Sequence, residues 1–346
     1  MKAKAVGTFI TALALSISAS IASANTALPE RLIPNPVGVS EEFAKFVESK
    51  QPAKSVSSPQ TTEEWIALQT QFDAAMSEVT RLGMKKHGVT FEKKSIGGVD
   101  TFLVMPKNVS PEFEGVRFVH IHGGAFVFGG GEAGLGEAAW IANGLGVEVI
   151  SIDYRQPPLH PYPAALEDTV AVWKELIKTQ SPNATALFGS SAGGNLTLTT
   201  TLKLQQQGLP TPGVLFAGTP ATDLKYTSDT WHTLQGLDPL GAREGVIDGT
   251  FALYSNGADL AHPLLSPVYA EIKDFPPTIF ISGTRDLLLS DTVRMHRVLR
   301  TANIETDLHI YDGQSHGDYV RGLNYDFPES DDALREIRMF FDKHLN

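Results

Sequence analysis

Two serines of this chain lie in the pattern Gly-x-Ser-x-Gly, and a serine so placed can act as the nucleophile of an acyl transfer. One is Ser191, in Gly189-Ser190-Ser191-Ala192-Gly193; the other is Ser315, in Gly313-Gln314-Ser315-His316-Gly317. The chemistry needs a strand that turns sharply into a helix with only small neighbours, leaving the hydroxyl exposed at the carboxyl end of a sheet. Ser191 has that setting: Ala184-Thr185-Ala186-Leu187-Phe188 reads as a short buried strand, and Leu196 to Gln207 as a helix. Around Ser315 the bulky His316 takes the place of a small residue, and Asp318-Tyr319-Val320-Arg321-Gly322 is no helix start. Ser191 is therefore the expected nucleophile, and Ser315 a bystander beside a catalytic histidine.

A serine hydroxyl needs a base, and the base needs an orienting carboxylate. In folds built on such a turn they follow in the order Ser, Asp or Glu, His, each at a strand's carboxyl end. A strand at Thr278–Ser282 runs into Asp286, and a strand at Asp307–Tyr311 runs into His316. Asp286 and His316 are the expected acid and base. Asp291 is the nearest rival carboxylate and reads as the cap of the helix that follows; His296 and His309 read as surface or packing residues.

His120-Ile121-His122-Gly123-Gly124-Ala125-Phe126 closes an earlier strand. Its glycines let backbone N–H groups come close to a developing oxyanion, and the usual partner donor is the residue after the nucleophile, here Ala192. Two other readings compete. His120 and His122 share a strand face and can be imagined as metal ligands, but cysteine and further nearby histidines are missing. Gly129-Gly130-Gly131-Glu132-Ala133-Gly134 matches GxGxxG, with Asp153 beyond it, yet these glycines do not stand directly between a strand and a helix as a dinucleotide site requires. Neither a metal nor a cofactor is expected.

The elements that must carry these residues are legible along the chain. Val89–Lys94, Thr101–Met105, Val116–Ile121, Val147–Asp153 and Val214–Gly218 read as further strands, with helices at Ala164–Thr179, Asp291–Thr301 and Asp331–His344. Strands alternating with helices predict a mostly parallel sheet covered on both faces, an α/β class. The span 221–277 shows no strand and reads as an insertion. Thr61 and Glu64 offer a capping box, followed by Trp65, Leu68, Phe72, Met76 and Val79 at helical spacing, so a helix is expected over Glu63–Leu82. Residues 25–60, rich in Pro, Ser and Val, read as an arm. Lys2 and Lys4 before an apolar run that ends in Ala22-Ser23-Ala24 read as a cleavable signal peptide over 1–24, hence a periplasmic or secreted protein with no stable membrane insertion after processing. An uncleaved membrane anchor is the competing reading, against which Ser and Thr dilute the run.

Composition narrows the partners. At 42% hydrophobic and 19% charged, the 346 residues suit a globular protein. A net charge of −11 gives no basic surface for nucleic acid. With no cysteine there are no disulfides, thiolate metal sites or cysteine nucleophile.

Taken together, His122-Gly123-Gly124, Asp153-Tyr154-Arg155 with Pro158, His160-Pro161, Pro163-Ala164-Ala165, Gly189-Ser190-Ser191-Ala192-Gly193-Gly194-Asn195, Asp286-Leu287-Leu288 and His316 make the chain resemble a known group. It is the hormone-sensitive-lipase-like group of α/β-hydrolases, bacterial esterases and lipases with an HGG oxyanion motif. The resemblance implies an α/β-hydrolase fold over 86–346, under a helical cap drawn from 25–85 and the insertion at about 221–277. It implies hydrolysis of a small-molecule ester or lactone through an acyl-serine, without cofactor, and assigns Gly123, Gly124 and Ala192 to the oxyanion hole. Short to medium acyl chains are expected. A lactonase, a deacetylase or a non-catalytic ligand-binding protein on this fold are the alternatives. Three positions depart from the group: Ser190 stands where it usually has Asp or Thr, Ala125 where a third glycine is common, and Gly317-Asp318 in place of the common pattern after the histidine.

Overall fold

Alternation along the strands sorts side chains into two apolar layers, since successive residues of a strand point to opposite faces. In the computed structural model, which describes residues 32–50 and 56–345, strands β1 (Thr90–Ile96), β2 (Val99–Met105), β3 (Arg117–Ile121), β4 (Val149–Ile152), β5 (Thr185–Ser190), β6 (Val214–Gly218), β7 (Thr278–Gly283) and β8 (Thr306–Tyr311) form one sheet. Its order is β1-β2-β4-β3-β5-β6-β7-β8, and β2 pairs antiparallel with both its neighbours while all other pairs are parallel. The chain from Asn35 onward makes one compact unit; of the unit before it only Leu32, Ile33 and Pro34 are described. The expected signal peptide lies outside the described residues.

Helices α1 (Glu41–Ser49), α2 (Thr62–His87), α3 (Leu135–Leu145), α4 (Ala164–Leu176), α5 (Ala192–Gln206), α6 (Thr230–Thr233), α7 (Val246–Ser255), α8 (Leu289–Thr301) and α9 (Pro328–His344) complete the fold. Val119, Leu187, Leu215 and Phe280 pack with Leu196 of α5 and Met295 of α8 on one face of the sheet. Phe118, Phe188, Phe216 and Ile281 pack with Trp140 of α3 and Phe341 of α9 on the other. Each such fully buried large apolar side chain contributes about 1.5–3 kcal/mol. The central strands β3 to β7 therefore have little freedom, and the loops at their carboxyl ends stand on a rigid base.

Some boundaries differ from the sequence reading. The arm contains α1, capped by Ser40 Oγ accepting from Phe43 N–H, with Phe43 and Val47 buried beside Phe327. In α2 both halves of the Thr61–Glu64 capping box form, and the helix continues past Leu82 to His87. Gly83 does not stop it, because it lies under Leu323, where a Cβ would come within 2.7 Å of Leu323 Cγ. The helix ends at Gly88, at φ +70°. Between β6 and β7 there is no strand, and α6 and α7 bring Trp231, Phe251 and Tyr254 into the same apolar layer as α5 and α8.

Candidate active site

Ser191 follows the last residue of β5 and precedes the first residue of α5, at φ 60°, ψ −122°. An L-residue holds such a conformation only when its surroundings impose it. Here they do: Ser191 N–H donates to Gly218 O at 2.9 Å, and the turn is pressed onto the end of β3. A Cβ on Gly189 would lie 2.2 Å from Ile121 O, and one on Gly193 2.0 Å from the same oxygen, so only glycine fits on either side. Because α5 begins at Ala192, the N–H groups of its first turn have no intrahelical acceptor, and the positive end of the helix dipole meets the serine.

Gly123 lies against the same turn: a Cβ there would meet Ser190 O at 2.9 Å and Ser191 Cβ at 3.4 Å. Gly124 sits at φ +113°, where a Cβ would strike Phe128 O. Among the described residues no backbone acceptor takes the N–H of Gly123 or Gly124. The segment is braced from behind. His122 stacks on Tyr154 at 4.1 Å, and Tyr154 OH donates to His122 O at 3.0 Å. Burial holds His122 neutral, its pKa lowered to about 3, so Nδ1–H donates to Gly123 O at 2.7 Å.

The competing readings of this stretch meet physical obstacles. Both ring nitrogens of His120 are engaged in the interior, Nδ1 with Ser151 Oγ at 2.9 Å and Nε2 with Glu137 at 3.1 Å. In the GxGxxG run, Gly129 N–H donates to Asp73 at 2.7 Å and Gly131 N–H to Asp153 at 2.9 Å. The donors that a pyrophosphate would need already serve two carboxylates, and Asp153 is spent on the loop itself.

Asp286 and His316 meet as the strand order requires. His316 Nδ1 lies 3.1 Å from Asp286 Oδ1. Asp286 is fully buried and also accepts from Ser282 Oγ at 2.6 Å, Leu288 N–H at 2.9 Å and the Thr219 hydroxyl. Burial opposes its ionisation, but His316 and these donors hold its carboxyl below the usual range. For His316 burial disfavours the imidazolium, and the nearby Asp286 outweighs it, raising the pKa above its ordinary value. Thr219 Oγ1 also stands 2.9 Å from His316 Nδ1; while it donates to Asp286 it can accept from the imidazole, so two acceptors hold the proton on Nδ1 and leave Nε2 free as a base.

Ser191, Ala192, Gly123, Gly124 and His316 line one cavity of about 560 Å³, within the range of small-ligand sites. Leu68, Phe72 and Met76 of α2 contribute to its wall, as do Phe128, Trp231 and Phe251. The expected stripe of α2 is thus divided: Trp65 is buried, the next three border the cavity and Val79 is exposed. Phe126 does not border the cavity and is a packing residue, stacked on Tyr254 at 4.0 Å.

Other expected residues fall elsewhere. Asp291 is not a cap: α8 starts two residues earlier, and the buried Asp291 carboxylate accepts from Asp223 N–H at 2.9 Å. Ser315 is buried, with its hydroxyl 3.2 Å from Lys50 Nζ and its N–H donating to Asp318. Ser190 bridges Glu137 at 2.5 Å and Tyr319 OH at 2.6 Å beneath the elbow. Thr219, Glu137, Tyr319 and Asp238 were not anticipated. Their sequence surroundings carry no motif, and only the fold brings them to the site.

Comparison with known proteins bears on the fold and the activity. A model of the alpha/beta hydrolase fold family matches residues 118–320. An esterase of Acinetobacter venetianus is 30% identical over 64% of this chain and 73% of its own length. Among solved structures, an esterase designated E25 superposes with a TM-score of 0.90 at 41% identity, covering 93% of this chain and 99% of that one. An esterase from the bacterial hormone-sensitive lipase family gives a TM-score of 0.69 at 26% identity over 80% of this chain and 98% of that one.

Proposed function

The chain belongs to the α/β-hydrolase-fold family, in its hormone-sensitive-lipase-like esterase group, and hydrolyses carboxylic esters; from that premise we propose that Ser191, His316 and Asp286 carry the reaction on short- to medium-chain acyl esters. The observation that supports this most is that Ser191, at the head of α5, and His316, backed by the buried Asp286, border one apolar cavity. In the proposed sequence, His316 Nε2 takes the Ser191 proton as Oγ attacks the ester carbonyl. The tetrahedral oxyanion accepts from the N–H groups of Gly123, Gly124 and Ala192. His316 then protonates the departing alcohol oxygen, and on the second pass activates water to release the acid from the acyl-serine.

Substrate size follows from the wall of the cavity. Phe128, Trp231 and Phe251 bound it, and α2, with the segment between β6 and β7, acts as a cap over it. Each added methylene must leave water and also find room. We expect a preference for acyl chains of about two to eight carbons, because a walled cavity of this kind admits small ligands. The test is kcat/KM across p-nitrophenyl esters from acetate to palmitate, with a lactone included, in solution and at an emulsion interface. A maximum at palmitate, or strong activation by the interface, would refute the small-substrate reading.

The lysine-led apolar run before Ala22-Ser23-Ala24 supports export of the enzyme to the periplasm or medium. Mass analysis of the protein from its native cells is expected to show a chain that starts after Ala24; a chain that retains Met1 contradicts export by cleavage.

A further inference from the structure

Asp238 lies in the segment between β6 and β7, and its side chain is fully buried. Oδ1 accepts the N–H of Leu240 at 2.8 Å, a local turn bond of the kind aspartate often makes. Oδ2 does something a turn does not require. It accepts the backbone N–H of His316 at 3.0 Å and that of Leu287, the residue after Asp286, also at 3.0 Å. One oxygen thus joins two loops remote from each other in sequence, which carry the base and its acid. The charged groups facing it are Asp286, His316 and Lys50, the last paired with Asp318 at 2.6 Å. Burial, and then the Asp286 carboxylate, push Asp238 up to about 6, so it is largely ionised at neutral pH.

We propose that Asp238 is a positioning residue for His316. It fixes the main chain of the base and of the acid loop relative to each other, and its charge stabilises the imidazolium formed when Ser191 gives up its proton. A buried anion is costly to keep, and at this place it acts directly on the group whose protonation changes during turnover. An asparagine at 238 removes the charge and, because its amide nitrogen cannot accept, also at least one of the three backbone bonds.

The proposal rests on His316 being the base, and the experiment separates the two. Hydrolysis needs neutral His316, so the rate falls as pH drops through its pKa, which Asp286 and then Asp238 raise. Removing the Asp238 charge moves that acid limb to lower pH. For Asp238→Asn we expect kcat on p-nitrophenyl butyrate to drop about tenfold to a hundredfold, as small displacements of a catalytic group do, with KM little changed and the acid limb shifted down. Asp238→Glu, which keeps the charge but moves the oxygen, should keep the wild-type limb with a reduced kcat, and it decides the matter if the asparagine variant does not fold. An Asp238→Asn enzyme with wild-type kcat, or with reduced kcat and an unmoved limb, overturns the proposal, as does wild-type kcat in Asp238→Glu. A wild-type rate independent of pH between about 5 and 8 would instead remove histidine as the base, and the proposal with it.

Discussion

Replacing Ser191 by alanine is expected to lower kcat by roughly five to six orders of magnitude, the cost of removing the nucleophile from a triad that acts as a unit. The fold should survive. The Ser191 side chain makes no capping bond to α5, and alanine meets the same backbone strain at φ 60°, so the change in stability is expected to stay within about 1 kcal/mol. Ser315→Ala is the control that separates the two Gly-x-Ser-x-Gly serines. It loses the 3.2 Å contact with Lys50 but leaves the Lys50–Asp318 ion pair in place, and most of the activity should remain. Initial rates on p-nitrophenyl butyrate beside thermal melts of both variants check this. An Ser191→Ala enzyme that still turns over at the wild-type rate would sink the assignment.

Asp286→Asn carries the second largest expected effect, a loss of about four orders of magnitude in kcat, because an amide can leave the imidazole in the wrong tautomer. Asp286 is bonded to Ser282, Thr219 and Leu288 as well as His316, so the side chain stays in place while the charge disappears. Asp291→Asn should be mild by comparison. Burial pushes Asp291 up to about 7, so a neutral side chain there resembles a state it already adopts. Rates of the two variants, each normalised to folded protein, rank the carboxylates. The reverse ranking would transfer the role to Asp291.

Most of the site was legible because its chemistry imposes local rules. The glycines around Ser191 are forced by Ile121 O, and that constraint is visible as a motif. The strand before Asp286 is an apolar run and the strand before His316 alternates polar and apolar residues; each ends where a polar loop starts, which places both residues at the carboxyl ends of their strands. What was not legible depends on contacts between distant segments. Asp238 stands in Leu237-Asp238-Pro239-Leu240, which reads as an ordinary turn, and Thr219 follows β6 with no flanking signal. Glu137 lies in the first turn of α3, and its approach to Ser190 follows from helix packing on the sheet. Helix α1 was missed although Ser40 and the pair Phe43 and Val47 mark it; two turns inside a Pro- and Ser-rich stretch give too short a period to stand out. Asp291 was misread as a cap because helix boundaries are uncertain by a few residues, and a start at Leu289 turns a flanking residue into a buried one.

Ser191 is the residue whose Oγ must react if the ester is cleaved as proposed. The most direct measurement is to inactivate the full-length enzyme with a serine-reactive phosphonate and locate the adduct by peptide mass spectrometry. The expected result is one phosphonyl group per chain on the peptide containing Ser191, formed in step with the loss of ester hydrolysis and absent from Ser191→Ala. An adduct on Ser315, or inactivation with Ser191 unmodified, contradicts it.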